Sequence, residues 1–145
     1  IFLVIPLAKI LSILGFNVVG SGKFIYFENL ESGIFQELSI AEGCSGIVSI
    51  QLFLSAFISY IYISGYQFRI DIYLIIMLGI LMAYFSNLFR MAVIIIIGHY
   101  WGMEALQFTH QYLGWLFFTF WLFIFWSIFE YSNNKYGIAR VRSEK

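Results

Sequence analysis

The chain is poor in most of what holds a small soluble domain together or draws it to a charged partner. It has one cysteine, one proline and two histidines among 145 residues, and only 11% of its residues are charged. One cysteine excludes an internal disulfide framework and an all-cysteine zinc site. One proline excludes a proline-rich linker. Eight Lys+Arg balance eight Asp+Glu, so the formal net charge is zero. That leaves no basic face for nucleic acid. His99 and His110 with one cysteine do not match a zinc-ligand spacing, which makes metal binding a weak reading, and the acyl-transfer chemistry read below requires no metal or organic cofactor. No basic n-region, apolar stretch and small-residue cleavage site follow in order, so no signal peptide is read. The first residue is Ile1 rather than Met, so the chain reads as a fragment or a processed product. What is present is apolar: 61% hydrophobic and 21% aromatic residues. A soluble domain has about 45–50% apolar and 25% charged residues. The composition therefore predicts an all-α polytopic membrane protein.

Charges punctuate the chain. Residues 43–68, 72–89, 91–103 and 105–129 contain no Asp, Glu, Lys or Arg. A spanning helix needs about 20 mostly apolar residues, which predicts spans at 44–65, 72–98 and 111–131. Residues 1–19, apolar apart from Lys9, read as part of another span or an interfacial helix. The expected architecture is a single membrane domain, 1–145, with a bundle of 3–4 transmembrane helices. Between 20 and 42, Gly20, Gly22 and Gly33 break up short apolar runs among Lys23, Glu28, Glu31, Glu37 and Glu42. This predicts a short hairpin or loop at the outer surface. Lys135, Arg140, Arg142 and Lys145 place the tail 132–145 in the cytoplasm. The acidic segment 20–42 and a loop at 99–110 without Lys or Arg then lie outside. The chain is expected in the cell membrane, multi-pass, with the lipid bilayer as its surroundings.

Polar residues within such spans need a reason. Gln51, Ser55, Ser59 and Tyr62 share a helical face, which reads as helix–helix packing. Gly79, Ala83, Ser86, Asn87 and Arg90 form a second stripe, whose small residues admit a close neighbour. An intramembrane Arg costs at least about 2.5–3.5 kcal/mol unless it is paired or wet. Arg90 is thus either functional, with Asn87 orienting it, or a snorkelling side chain. Cys44 lies in Ala41-Glu42-Gly43-Cys44-Ser45-Gly46 at a predicted helix start, where a nearby cation favours a thiolate. A lone cysteine is otherwise a small buried hydrophobe. His110 opens the last span and reads either as interfacial or as a proton acceptor. Together, a thiol, an imidazole and a guanidinium on three helices, all toward the outer leaflet, make an acyl-transfer set.

Three sequence boxes resemble the exosortase/archaeosortase family of membrane-embedded cysteine transpeptidases. They are Ala41-Glu42-Gly43-Cys44-Ser45-Gly46, Asn87-Leu88-Phe89-Arg90, and His110-Gln111-Tyr112-Leu113-Gly114-Trp115. The resemblance implies Cys44 as nucleophile, Arg90 as the group meeting the oxyanion or holding the thiolate, and His110 as acid/base, with Asn87 and Gly46 supporting. It implies the exosortase-like branch, since the archaeosortase branch tends to carry Arg at the third position. Implied substrates are secreted proteins whose C-terminal sorting signal is a short motif, a transmembrane helix and a basic cluster. They would be cleaved through a thioacyl intermediate on the extracytoplasmic face and passed to water, an amine, or a lipid or polysaccharide acceptor. Family members usually have about eight spans and often a basic residue after the Cys-Ser-Gly box, where this chain has Ile47-Val48-Ser49. Two other readings stand beside this one. The first is a non-enzymatic membrane subunit whose Arg90 pairs with an acid on another chain. The second is a haem or quinone anchor using His99 and His110, which a shared short loop disfavours.

Overall fold

A computed structural model describes residues 3–30, 32–40, 46–66 and 70–136. In order these form α1 (Val4–Ile13), β1 (Val18–Ser21), β2 (Phe24–Glu28), β3 (Phe35–Ser39), α2 (Ile47–Ile63) and α3 (Ile70–Tyr136). α1 tolerates Pro6 because proline in a first helical turn removes no needed N–H. It ends where Phe16 N–H donates to Leu11 O and Gly15 N–H to Ser12 O. α2 ends the same way, Tyr66 N–H reaching Ile61 O and Gly65 N–H reaching Tyr62 O. In both helices this pair of bonds satisfies carbonyls that the last turn would otherwise leave open.

Residues 18–39 correct the all-α expectation. They form a three-stranded antiparallel sheet in the order β1-β2-β3. Val18 pairs with Phe27 and Ser21 with Phe24, and Phe24 pairs with Ser39 across the other ladder. Gly22 and Lys23 make the first turn. Asn29 organises the second by accepting from Ser32 N–H and Oγ–H. One face of the sheet, through Ile25, Phe27 and Ile40, packs on Leu7 and Leu11 of α1 and on Leu88, Met91, Ile94, Ile95 and Leu106 of α3. Within 1–19 the described helix is α1, ten residues or about 15 Å long.

α3 is two antiparallel arms. Gly102 has φ 79° and ψ −175°, which breaks the helix between 70–101 and 103–136. Contacts nest around that turn: Gly98 meets Leu106, Arg90 meets Gly114, and Gly79 meets Phe125. The outer loop expected at 99–110 is therefore a one-residue reversal. Glu104, Gln107 and His110 dilute the hydropathy there without breaking the helix. Only a residue tolerant of positive φ can make this turn. The arms are about 48 Å and about 51 Å long at 1.5 Å per residue. Among the described residues α3 is the one helix long and apolar enough to cross a membrane.

α2 lies along the far part of the hairpin. Its packed face is Phe53, Phe57 and Ile61, set against Ile72, Ala83, Trp121, Phe125 and Phe129. Gln51, Ser55 and Ser59 are exposed, as is Tyr62. The polar stripe expected to pack thus faces away from the hairpin, because burying the aromatic stripe removes far more apolar surface. Phe53 stands edge-on to Phe125 at 4.8 Å between ring centroids. A Cβ at Gly79 would fall 2.2 Å from Phe53 Cζ and 2.9 Å from Phe125 Cε2. Gly79→Ala is expected to cost about 1–3 kcal/mol by overpacking. Thermal unfolding in detergent checks this, and an unchanged midpoint would count against the packing described.

Candidate active site

The site lies where α2 begins. Gly46 is the N-cap of α2, with φ 83°, and its carbonyl accepts the first helical bond from Ile50 N–H at 3.1 Å. A Cβ there would sit 2.9 Å from Asn87 Nδ2 and 3.1 Å from Asn87 Cγ. Gly46 therefore lies directly on the Asn87 amide. One turn along the first arm, Arg90 crosses to the second arm. A Cβ at Gly114 would be 3.2 Å from Arg90 Nη1. Asn87 is 5% exposed and Arg90 9%. Arg90 is thus enclosed between the arms, with Nη2 3.9 Å from Met91 Sδ, and does not lie along a lipid-facing surface. Cys44, two residues before Gly46 in sequence, lies outside the described residues.

Arg90 lines one cavity and His110 another. The first, of about 10 Å³, is lined by Ser49 of α2, Ser86, Asn87 and Arg90 of the first arm, and Gly114 and Trp121 of the second. It has room for about one water molecule. Trp121 is 4% exposed, and its Nε1–H has no protein acceptor among the described residues. A water there would meet that donor. The second cavity, of about 490 Å³, is an open cleft between β3 and the second arm, and His110 lines it with Glu37, Ser39, Met91, Gln107 and Gln111. His110 is half-buried one helical turn before Gly114, within electrostatic reach of Arg90. Arg90, Asn87, Gly46 and His110 therefore share one neighbourhood, although the last three sit on three different helical segments.

His99 is placed elsewhere. Its Nδ1 bonds the Glu28 carbonyl, and Phe16 stands edge-on to its ring at 5.1 Å. Asn29 Nδ2 donates to Gly98 O at 3.1 Å, and Leu30 N–H donates to His99 O at 2.9 Å. This latch ties the sheet to the last turn of the first arm, whose carbonyls would otherwise be open. It occupies the histidine that an anchor reading would have used. Sequence reasoning overlooked Asn29, Gly102 and Trp121. A glycine inside a helical pattern was a signal for the second, while the other two depend on tertiary contacts. Among the described residues no three His, Cys, Asp or Glu side chains cluster as a metal site would require.

No curated protein and no solved structure matches the chain. The family described as transmembrane exosortase matches it over residues 7–127, a stretch that runs from α1 through all three boxes to the second arm. The chain belongs to the transmembrane exosortase family and is a membrane protein.

Proposed function

We infer that the protein is a cysteine transpeptidase or protease of the extracytoplasmic membrane surface, with Cys44, Arg90 and His110 as its reacting set. The observation that carries this reading is the seating of Gly46 on Asn87, one turn from the Arg90–Gly114 contact. It sets Gly46 of the first box, Asn87 and Arg90 of the second and Gly114 of the third near one another, on three helical segments. Two residues of chain hold the Cys44 Cα within about 7 Å of the Gly46 Cα. The start of a helix also favours the thiolate there.

The level of the site supports the same reading. α2 has 17 residues, about 26 Å, and starts beside Asn87. That length is close to the roughly 30 Å hydrocarbon core. The helix surfaces below the site are rich in exposed apolar side chains, including Leu52, Ile58, Met77, Leu81, Phe120 and Phe123. Such a surface suits lipid rather than water. Beyond the site α1 and the sheet pack on one side of the hairpin. The reacting groups would thus meet a scissile bond at the interface, just outside a substrate's transmembrane helix. The span count and membrane side proposed are those of the charge pattern, with the tail inside.

In the proposed reaction the Cys44 thiolate attacks the scissile carbonyl, forming an S–C bond. The new oxyanion lies by Arg90, which is held between the arms before substrate arrives and so needs little reorganisation. The C–N bond breaks as His110 gives its proton to the leaving amine. An acceptor N–H or O–H then adds to the thioester and His110 takes its proton. The S–C bond breaks and the thiolate returns. Substrates would be secreted proteins with a motif–helix–basic C-terminal sorting signal, and the acceptor would be water, an amine, or a lipid or polysaccharide.

The test is processing of such a substrate by the full-length protein, read by gel shift and product mass. Cys44→Ala is expected to abolish processing at normal membrane levels. His110→Ala is expected to lower the rate by about 10²–10⁴-fold, the usual contribution of a positioned acid/base. Unchanged processing in Cys44→Ala would end the enzymatic reading.

A further inference from the structure

β3 lies at the edge of the sheet, so among the described residues one of its sides has no strand partner. The register shows which backbone groups face that side. Ile40 N–H donates to Lys23 O, and Ile34 O accepts from Asn29 N–H. In an antiparallel ladder, bonded pairs alternate with unbonded ones. Ile34, Gln36, Leu38 and Ile40 therefore turn their N–H and C=O groups toward β2. Phe35, Glu37 and Ser39 turn theirs outward. An open edge of this kind is a template for another strand, which proteins usually cover or blunt.

This edge opens on the 490 Å³ cleft that holds His110. Glu37, Leu38 and Ser39 all line the cleft. Consecutive strand residues point to alternate faces, so a cavity lined by all three meets the strand at its edge. The opposite wall carries Gln107 and Gln111, one helical turn apart, with His110 between them. Each glutamine has an amide donor and an amide acceptor, the complement of a peptide backbone. The volume lies within the range of about 300–1,000 Å³ usual for ligand clefts. Only four residues separate Ser39 from Cys44, so the open edge leads in sequence to the candidate nucleophile.

We propose that β3 is the substrate-docking strand: an extended segment of the polypeptide substrate lies in the cleft as a fourth strand, paired with the outward groups of Glu37 and Ser39 and lined on its other side by Gln107 and Gln111. This rests on the transpeptidase reading and adds to it how the substrate is held. Backbone pairing supplies the binding. His110 lies along the cleft, so the docked strand delivers its scissile amide to the acid/base. The occupant is a peptide in extended form, because only its backbone offers donors and acceptors at strand spacing.

Proline tests this directly. At position 37 it removes one outward N–H and leaves the β2 ladder intact, which is the placement an edge strand tolerates. Glu37→Ala serves as the reference, since the carboxylate also accepts from the Tyr26 hydroxyl. Glu37→Pro is expected to lower kcat/KM by about 3–10-fold more than Glu37→Ala, the worth of one hydrogen bond, mainly through KM. A photocrosslinker at position 39, in the full-length Cys44→Ala protein co-expressed with substrate, is expected to capture the segment next to the scissile bond. Equal kinetics for the two position-37 variants would overturn the proposal. So would capture only from positions outside the cleft. If Glu37→Pro fails to accumulate in the membrane, the crosslink alone decides. Cleavage that depends on Cys44 without capture at position 39 would sink the docking strand and leave the reaction standing. Cleavage that ignores Cys44 would sink the reaction itself.

Discussion

Arg90→Ala is expected to lower the rate of substrate processing by about 10²–10³-fold, the usual cost of removing one oxyanion donor. The guanidinium is 9% exposed and packs where Gly114 leaves room for Nη1. It is fixed before substrate binds, so its charge acts on the developing oxygen at little reorganisation cost. Arg90→Lys is expected to recover little of the loss. Lysine keeps the charge but replaces a planar fork of donors with a flexible point charge. It would also leave space against Gly114. Gly114→Leu approaches the same defect from the other arm, displacing the guanidinium while leaving position 90 untouched. Initial rates at saturating substrate, normalised to membrane protein, measure all three. Near-normal turnover in Arg90→Ala would remove it from the chemistry and favour a purely structural intramembrane cation.

Gly46→Ala is expected to reduce processing by about 10²-fold, the scale of loss from moving a reacting group by about 1 Å. Two effects act together. Alanine at φ 83° is strained, by about 1–2 kcal/mol for a left-handed residue. Its Cβ would also fall 2.9 Å from Asn87 Nδ2, so either the amide moves or the chain leading to Cys44 lifts away. The second effect can be isolated. Asn87→Ala removes the amide and makes room, so the double variant Gly46→Ala/Asn87→Ala is expected to process better than the product of the single losses predicts. Coupled residues in contact depart from additivity in this manner. Strict additivity would mean that Gly46 and Asn87 do not act through their contact.

Much of this protein could be read from the chain alone. Long apolar stretches interrupted by few charges indicate membrane helices, because the bilayer sets the length and excludes charge. The three boxes identified the family before any coordinate, since chemistry restricts the residues allowed at a site. Asn87 and Arg90 were legible as a pair because one helical turn puts them on one face. The polar residues from Glu104 to Gln111 misled, because hydropathy falls at a cleft wall as it does in a loop, and only backbone geometry distinguishes them.

Tertiary structure decided the rest. The sheet exists because Ile25 and Phe27 find a surface on α1 and α3; short strands with little alternation cannot show that from sequence. Gly102 reverses α3, and that reversal brings Gly114 to Arg90 and His110 to the edge of β3. Which face of α2 is buried was set by the aromatic ring cluster rather than by its polar stripe. A sequence specifies which side chains can react and which segments enter lipid, because both are properties of single residues and local runs. Convergence at a point depends on where two distant segments pack, which is a property of the whole fold.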